Sequence, residues 1–252
     1  MHNRLQSPLT VLSRCIFIAI AATLFVAPAA AAPAPMQLTP HSATYKIKIS
    51  IVGGELKTTL ETTDDGFVAT HVVKPTGMSR MLAHGFIRES SEFYAASDGI
   101  RATGYRAEDT LSREPDDVDL RFDWDAREAR GTVNGAEFRS TLQALSHDRI
   151  SIQYQLMYDL LNGEGEAEYT MFEIDRLRTV QVRNVGSKTV TVPAGEYVAV
   201  GIQHQSKGSK RVTTLWCAEE LGYLPVMIEQ HREGTLKVRA TLLNYRPGVA
   251  NR

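Results

Sequence analysis

The sequence contains little cysteine, with only Cys15 and Cys217 among 252 residues. It also lacks an apolar run of about 20 residues, which is the length that a membrane-spanning helix needs. Basic residues do not outnumber acidic ones, since 28 Lys and Arg stand against 29 Asp and Glu. These absences exclude a disulfide-rich scaffold and a transmembrane helix, and they leave nucleic-acid binding without electrostatic support.

Motifs for metal binding and catalysis are missing as well. The histidines show no ligand spacing such as His-Glu-x-x-His, and no glycine-rich phosphate loop is present. Ser146, His147 and Asp148 are consecutive, but successive residues of a helix point about 100° apart, so they cannot align as a catalytic triad. We therefore predict no catalytic residue, no metal and no cofactor.

The first 31 residues have the pattern of a cleavable secretory signal peptide. Arg4 and Arg14 supply positive charge, an uncharged run covers residues 16–26, and Ala29 to Ala31 provide small residues at the cleavage site. Removal of this segment leaves 221 residues and changes the formal net charge from −1 to −3. We therefore expect an exported, soluble protein that is located in the periplasm.

Export also determines how the remaining chain is organised. Cleavage after Ala31 removes Cys15, so Cys217 is left without an internal disulfide partner, and core burial has to supply the stability. We expect a flexible leader over residues 32–40, a single β-rich domain over residues 41–246, and a loose tail over residues 247–252.

Alternating hydrophobicity dominates the domain. Every second residue is apolar from Tyr45 to Ile51 and again from Val118 to Trp124, which is the period of a half-buried strand. Asn134-Gly135 and Glu233-Gly234 are typical of tight hairpin turns. Such turn-forming residues recur at intervals of roughly 8–12 residues. The pattern predicts a mainly β fold, a single curved antiparallel sheet or a partly open β-barrel of about ten or more strands.

Residues 146–161 break this pattern, because they lack proline and glycine and carry apolar residues at helical spacing. One apolar stripe is formed by Ile150, Tyr154, Met157 and Leu161, and a neighbouring row by Ile152, Leu156 and Leu160. We predict one main amphipathic helix over these residues, with Ser146 capping its first amides and Asn162-Gly163 ending it.

The apolar strand faces leave two interpretations of the interior open. Either the barrel is filled by its own side chains, or it stays partly open around an apolar cavity that accommodates an acyl chain. In the second case we expect five residues to face the ligand: Trp124, Tyr154, Met157, Leu161 and Trp216. Lys207, Lys210 and Arg211 flank Gly208-Ser209 and are interpreted as a charged hairpin tip, not as an anion site.

Several segments resemble a family of exported bacterial proteins of unknown function, DUF3108. They are Phe122 to Trp124, Ser151 to Leu156, Thr191 to Tyr197, Leu215-Trp216 and Leu224 to Val226. The family has no established activity, so the resemblance implies no catalytic residues. The sequence from Trp216 through Leu224-Pro225 to Glu233-Gly234 is also similar to periplasmic lipoprotein carriers. That resemblance implies an unclosed β-barrel with an apolar concave face and a helical cover.

Three functions remain open from the sequence. The leading hypothesis is a non-enzymatic envelope protein that binds a lipid, an acyl chain or an envelope protein. The second is an envelope hydrolase whose site forms only in three dimensions, with His204, His231, Asp123 and Glu229 as candidates. The third is an assembly protein that pairs through a sheet edge. We expect a monomer without a nucleic-acid partner and without a membrane span in the mature chain.

Overall fold

The structure, a computed structural model, describes residues 38–49, 52–81, 83–112, 116–144, 146–163, 167–173 and 176–248. The predicted signal peptide lies outside these residues, as do most of the predicted leader and residues 249–252 of the predicted tail. Within the described ranges the elements are β1 (His41–Ile49), β2 (Val52–Thr63), β3 (Gly66–Pro75), a 3₁₀ helix (Gly77–Met81), β4 (Ile87–Ala96), β5 (Gly99–Asp109), β6 (Asp117–Asp123), β7 (Glu128–Val133), β8 (Ala136–Thr141), β9 (Ser146–His147), α1 (Ser151–Leu161), β10 (Ala167–Glu173), β11 (Arg176–Val192), β12 (Gly195–Ser206), β13 (Arg211–Ala218), a second 3₁₀ helix (Glu219–Leu221), β14 (Leu224–Arg232) and β15 (Thr235–Pro247).

One sheet contains all fifteen of these strands, in the order β8 to β1 followed by β15 to β9. Neighbouring strands are antiparallel throughout, except that the two-residue strand β9 runs parallel to β10. The first strand, β1, pairs with the last strand, β15, at the centre of the order. Strands β8 and β9 end the sheet and do not pair with each other, so the sheet is not closed into a barrel. The predicted fold class is thus confirmed.

The strands form where the sequence alternates and turn where glycine permits it. In β6, Val118, Leu120 and Phe122 are buried and the residues between them are more exposed, as the pattern predicts. Asn134 and Gly135 join β7 to β8 with φ of +52° and +78°, a conformation that glycine and asparagine adopt readily. Together the buried side chains form one large core cluster and one smaller one.

Helix α1 is shorter than predicted, because it begins at Ser151 and not at residue 146. Ser146 and His147 instead pair with Thr170 and Met171 of β10. The predicted cap at Ser146 is therefore wrong, since its Oγ accepts the amide N–H of Gln143, outside the helix.

Asp148 performs the capping instead. Its Oδ1 accepts the amide N–H groups of Ile150 (2.7 Å) and Ser151 (2.8 Å), while its Oδ2 accepts the hydroxyl of Ser91 in β4 (2.6 Å). The predicted end of the helix is confirmed, since Asn162 follows Leu161 and Gly163 has a φ of +80°.

The helix lies inside the curved sheet and is buried on nearly every side. Gln155 Oε1 accepts the amide N–H of Ile100 in β5 (2.6 Å), an approach that the missing side chain of Gly99 permits. Tyr158 donates its hydroxyl to the carbonyl of Ala96 (3.2 Å). Tyr154 belongs to the large core cluster, whereas Ile152 and Leu156 on the other side of the helix belong to the smaller one. The helix therefore divides the interior.

Both ends of the described chain contact the sheet. Leu38 is buried in the large core cluster, and the amide N–H of Gly248 donates to the carbonyl of Pro40 (2.7 Å). Pro247 pairs with His41 at the end of β15. The predicted boundaries at residues 40–41 and 246–247 thus fall within paired or buried chain.

Replacing Asp148 with alanine should lower the free energy of unfolding by about 2–4 kcal/mol, because two helix amides and Ser91 lose their acceptor inside the protein. Urea unfolding followed by circular dichroism measures this difference. The control is Asp125→Ala, which alters an exposed turn residue. Equal losses for the two variants would contradict the capping role.

Candidate functional site

A cavity of about 620 Å³ lies on the inner side of the sheet, between α1 and strands β12 to β14. Its floor is apolar and is formed by Leu56, Ile152, Leu156, Met171, Leu215 and Ile228. Its outer lining contains five cationic side chains, those of Arg149, Arg178, Lys210, Arg211 and Arg232, and one carboxylate, Glu173. Polar residues line the wall between them: His71, Gln153, His204, Gln205, Ser206, Ser209, Thr213 and Gln230.

Strand register produces this change from apolar to charged. Leu215 pairs with Ile228 deep in the cavity, and two residues further along Thr213 pairs with Gln230. These pairs share one face because side chains of a strand alternate between its two faces. The same face ends at the pair Arg211 and Arg232, about 13 Å from Leu215 at 3.3 Å per residue.

Carboxylates pair with three of the five cations. Arg178 Nε lies 2.9 Å from Glu173 Oε2, and Lys210 binds Glu233. Arg149 Nε lies 2.9 Å from Glu89 Oε1, and its Nη1 lies 3.1 Å from Asp116 Oδ2.

Arg211 and Arg232 are different. Within the part of the chain that the structure describes, neither forms an ion pair. The opening of the cavity therefore has two cations whose charge is not neutralised by a carboxylate.

Two histidines line the cavity in their neutral form. Burial lowers the pKa of His204 to about 4. Burial, followed by the charge of nearby His41, lowers the pKa of His71 to about 4 as well. The cavity wall is thus polar but uncharged at neutral pH between the apolar floor and the cationic opening.

The residues that the sequence singled out for ligand contact do not line this cavity. Tyr154 and Met157 are 0% and 2% exposed in the large core cluster, and Tyr154 packs 5.2 Å from the ring of Phe93. Leu161 is partly buried against the same cluster. Three of the five expected residues therefore come together, on the side of α1 that faces away from the cavity floor.

The two tryptophans lie apart from that group and also pack at the edge of the core. Trp124 donates Nε1–H to the carbonyl of Ala102 (2.7 Å), and Arg101 lies 4.6 Å from its ring. Trp216 donates Nε1–H to Glu229 (3.2 Å), and Lys188 lies 3.6 Å from its ring. Each tryptophan is thus held by one hydrogen bond and one cation.

Other sequence features identify the residues that do line the cavity. Ile152 and Leu156 belong to the second apolar row of the helix, and Lys210 and Arg211 belong to the hairpin that the sequence predicts to be a charged tip. No sequence motif identifies Arg232 as a cavity residue, because only the register of β13 and β14 brings it opposite Arg211.

The hydrolase candidates do not form a catalytic pair. Among the described residues, no histidine is hydrogen-bonded or ion-paired to a carboxylate. Glu229 accepts two hydrogen bonds from Arg239 (3.0 and 2.7 Å), and Asp123 accepts the amide N–H of Ala126. Only His204 of the four candidates lines the cavity, while His231 lies one position along from the cavity-facing Gln230.

The described part of the chain contains neither a metal site nor a membrane-spanning helix. No three His, Cys, Asp or Glu side chains in it are grouped closely enough to hold a metal ion. No helix in it combines the length and the apolar character that crossing a bilayer requires.

Comparison with known proteins gives one family match. The model of the family described as "Protein of unknown function (DUF3108)" matches residues 41–241. No curated protein matches the chain.

Among solved structures, the chain is similar to a beta-barrel-like protein of the DUF1849 family from Brucella abortus. The two share 11% identity over 84% of this chain and 99% of the other, with a TM-score of 0.54, which shows a shared fold. A protein named as a lipoprotein from Parabacteroides distasonis is 11% identical over 83% and 96% of the two chains, with a TM-score of 0.34. One named as an exported protein with a YmcC-like fold from Bacteroides fragilis is 11% identical over 83% and 97%, with a TM-score of 0.33.

Acidification should destabilise the protein through His204. The pKa of His204 is about 4 in the folded protein, whereas an unperturbed histidine has a pKa of 6.5. As the pH falls, the unfolded chain therefore binds the proton before the folded protein does. The free energy of unfolding should therefore fall as the pH falls from about 6.5 to about 4, and this contribution should be lost below pH 4. His204→Gln should reduce the slope by up to about 1.4 kcal/mol per pH unit.

Denaturant unfolding at pH values between 4 and 7 measures these slopes. Gln205→Ala provides the control, since it removes a cavity-lining side chain that does not titrate and should leave the slope unchanged. A His204→Gln slope equal to that of the unaltered protein would show that His204 is not protonated preferentially on unfolding.

Proposed function

The chain belongs to the DUF3108 family of proteins of unknown function, and we propose that it is a non-enzymatic envelope protein that binds an apolar or amphipathic molecule in the cavity described above. The observation that carries this proposal is the apolar floor of that cavity, which lies inside the curved sheet. Ligand sites in proteins are typically concave, mostly apolar and about 300–1,000 Å³ in volume, with a few polar groups that orient the ligand.

The unclosed sheet supports this function. Strands β8 and β9 do not pair with each other, and α1 contributes its Ile152 and Leu156 side chains to the cavity floor. A core that closed on its own side chains would pack to crystal-like density and leave few voids larger than a water molecule. A cavity of about 620 Å³ with an apolar floor instead offers a bound hydrocarbon group a favourable transfer from water.

The residues that the sequence singled out as ligand contacts stay a prediction. Tyr154 and Met157 share α1 with Ile152 and Leu156, so a ligand that displaces the helix would reach them. Leu161 lies on the same helix, so the same displacement would reach it. For a ligand that enters without moving α1, we expect Ile152, Leu156, Leu215 and Ile228 to make the contacts.

Location in the periplasm belongs to the same proposal. The amino-terminal pattern of Arg4, Arg14, the uncharged run and Ala29 to Ala31 supports export and cleavage after Ala31. The hydrolase and the sheet-edge assembly protein stay as alternatives, and monomeric state stays a prediction. The hydrolase has less support, because His204 has no carboxylate partner among the described residues.

Filling part of the cavity should weaken ligand binding. Ile228→Trp places a larger side chain in the cavity and should weaken binding of the uncharged fluorescent probe N-phenyl-1-naphthylamine by roughly tenfold or more. Fluorescence titration of the protein, purified without detergent, measures the dissociation constant.

Val198→Trp is the matched control, because Val198 is 71% exposed and does not line the cavity. This variant should bind the probe as the unaltered protein does, and circular dichroism should show that both variants are folded. Failure of the unaltered protein to bind the probe, or equal binding by the two variants, would count against a ligand site in this cavity.

Export can be tested independently. Expression of the full chain in a Gram-negative host should give a periplasmic protein whose first residue is Ala32, as measured by mass spectrometry of the intact protein. Arg4→Glu/Arg14→Glu should cause the uncleaved chain to accumulate inside the cell. Recovery of the unaltered chain in the cytoplasm with Met1 retained would rule out this signal.

A further inference from the structure

The opening of the cavity has two arginines that face each other across neighbouring strands. Arg211 of β13 and Arg232 of β14 are directly opposite in the register, and both line the cavity. Like charges at such positions repel each other, although solvent and salt reduce the repulsion at the exposed opening. An anion bound between the two guanidinium groups would remove this repulsion and accept hydrogen bonds from both.

A second row of opposed arginines, which does not line the cavity, serves for comparison of the ion pairs. Arg121, Arg130 and Arg139 are opposite one another on β6, β7 and β8. There, Glu92 lies 2.8 Å from Arg121 and Glu128 lies 3.0 Å from Arg139, so carboxylates of the protein itself compensate two of the three charges. Arg211 and Arg232 have no such partner among the described residues, and they adjoin an apolar cavity.

The surface behind the two arginines specifies the rest of the ligand. Moving inward, the pair Thr213 and Gln230 is polar and uncharged, and the pair Leu215 and Ile228 is apolar. A molecule that fits this order has a negatively charged head group and a hydrocarbon tail. The volume of about 620 Å³ lies within the range of sites for single small molecules, which favours one hydrocarbon chain over several.

Building on the proposed function, we propose that the ligand is the anion of a long-chain fatty acid. Its carboxylate binds between Arg211 and Arg232 at the opening. Its tail passes Thr213 and lies along the apolar floor between α1 and strands β13 and β14. Lys210 and Arg178 also line the cavity, but each is paired with a carboxylate, Glu233 and Glu173, so the carboxylate site depends on Arg211 and Arg232.

Competition against the uncharged probe N-phenyl-1-naphthylamine tests this proposal. Oleate should displace the probe at a concentration at least tenfold lower than oleyl alcohol, which has the same chain without the charge. Arg211→Gln/Arg232→Gln should weaken oleate binding by tenfold or more and leave the affinity for the uncharged probe within a factor of two. The preference for oleate should also decline with increasing salt.

Arg130→Gln/Arg139→Gln is the matched control, because it removes two opposed arginines that do not line the cavity. It should leave oleate binding unchanged. Equal displacement by oleate and oleyl alcohol would overturn the carboxylate site while the apolar cavity stands. Inorganic phosphate that competes with oleate at similar concentration would show a plain anion site. Absence of probe binding would remove the proposed function itself.

Discussion

The fixed position of α1 against β4 and β5 is the constraint on which the interior depends. The carboxylate of Asp148 connects the start of the helix to Ser91, and Gln155 accepts a backbone amide of β5. Buried polar groups of this kind are costly to leave unpaired, so these contacts allow little variation in where the helix lies. With one side of α1 held there, Ile152 and Leu156 on the opposite side form part of the cavity floor together with Leu215 and Ile228.

Desolvation accounts for the order of side chains along the cavity wall. A charge deep inside would need a partner to offset the loss of water, so the floor contains none. Histidine can be buried as the neutral ring, and His71 and His204 lie at intermediate depth in that form. The unpaired arginines lie at the solvent-exposed opening, where hydration of the guanidinium groups is retained. The change from an apolar floor to a charged opening is therefore the arrangement with the lowest desolvation cost. The same order of apolar and charged groups is found in an amphiphile.

Local features were predictable from the sequence, and features that depend on distant residues were not. Alternation along β6 and the turn at Asn134-Gly135 follow from the conformations of neighbouring residues, so they were found. The start of α1 was missed because Ser146 pairs with β10, a contact that no local pattern shows. Both apolar rows of the helix were visible, but only packing decides which row faces the cavity. The charged hairpin was seen as solvent-exposed because its counterpart, Arg232, is remote in sequence.

Pairing of β1 with β15 joins the two ends of the domain at the middle of the sheet. β1 can pair with β2 as soon as β2 has been synthesised, but the other edge of β1 stays unpaired until the last strand, β15, has been synthesised. Closing so long a loop is slow, because chain entropy is lost before the contacts form. A nascent chain therefore spends its whole synthesis with an open strand edge that other polypeptides can extend. The topology therefore leaves this edge of β1 unprotected until β15 has formed.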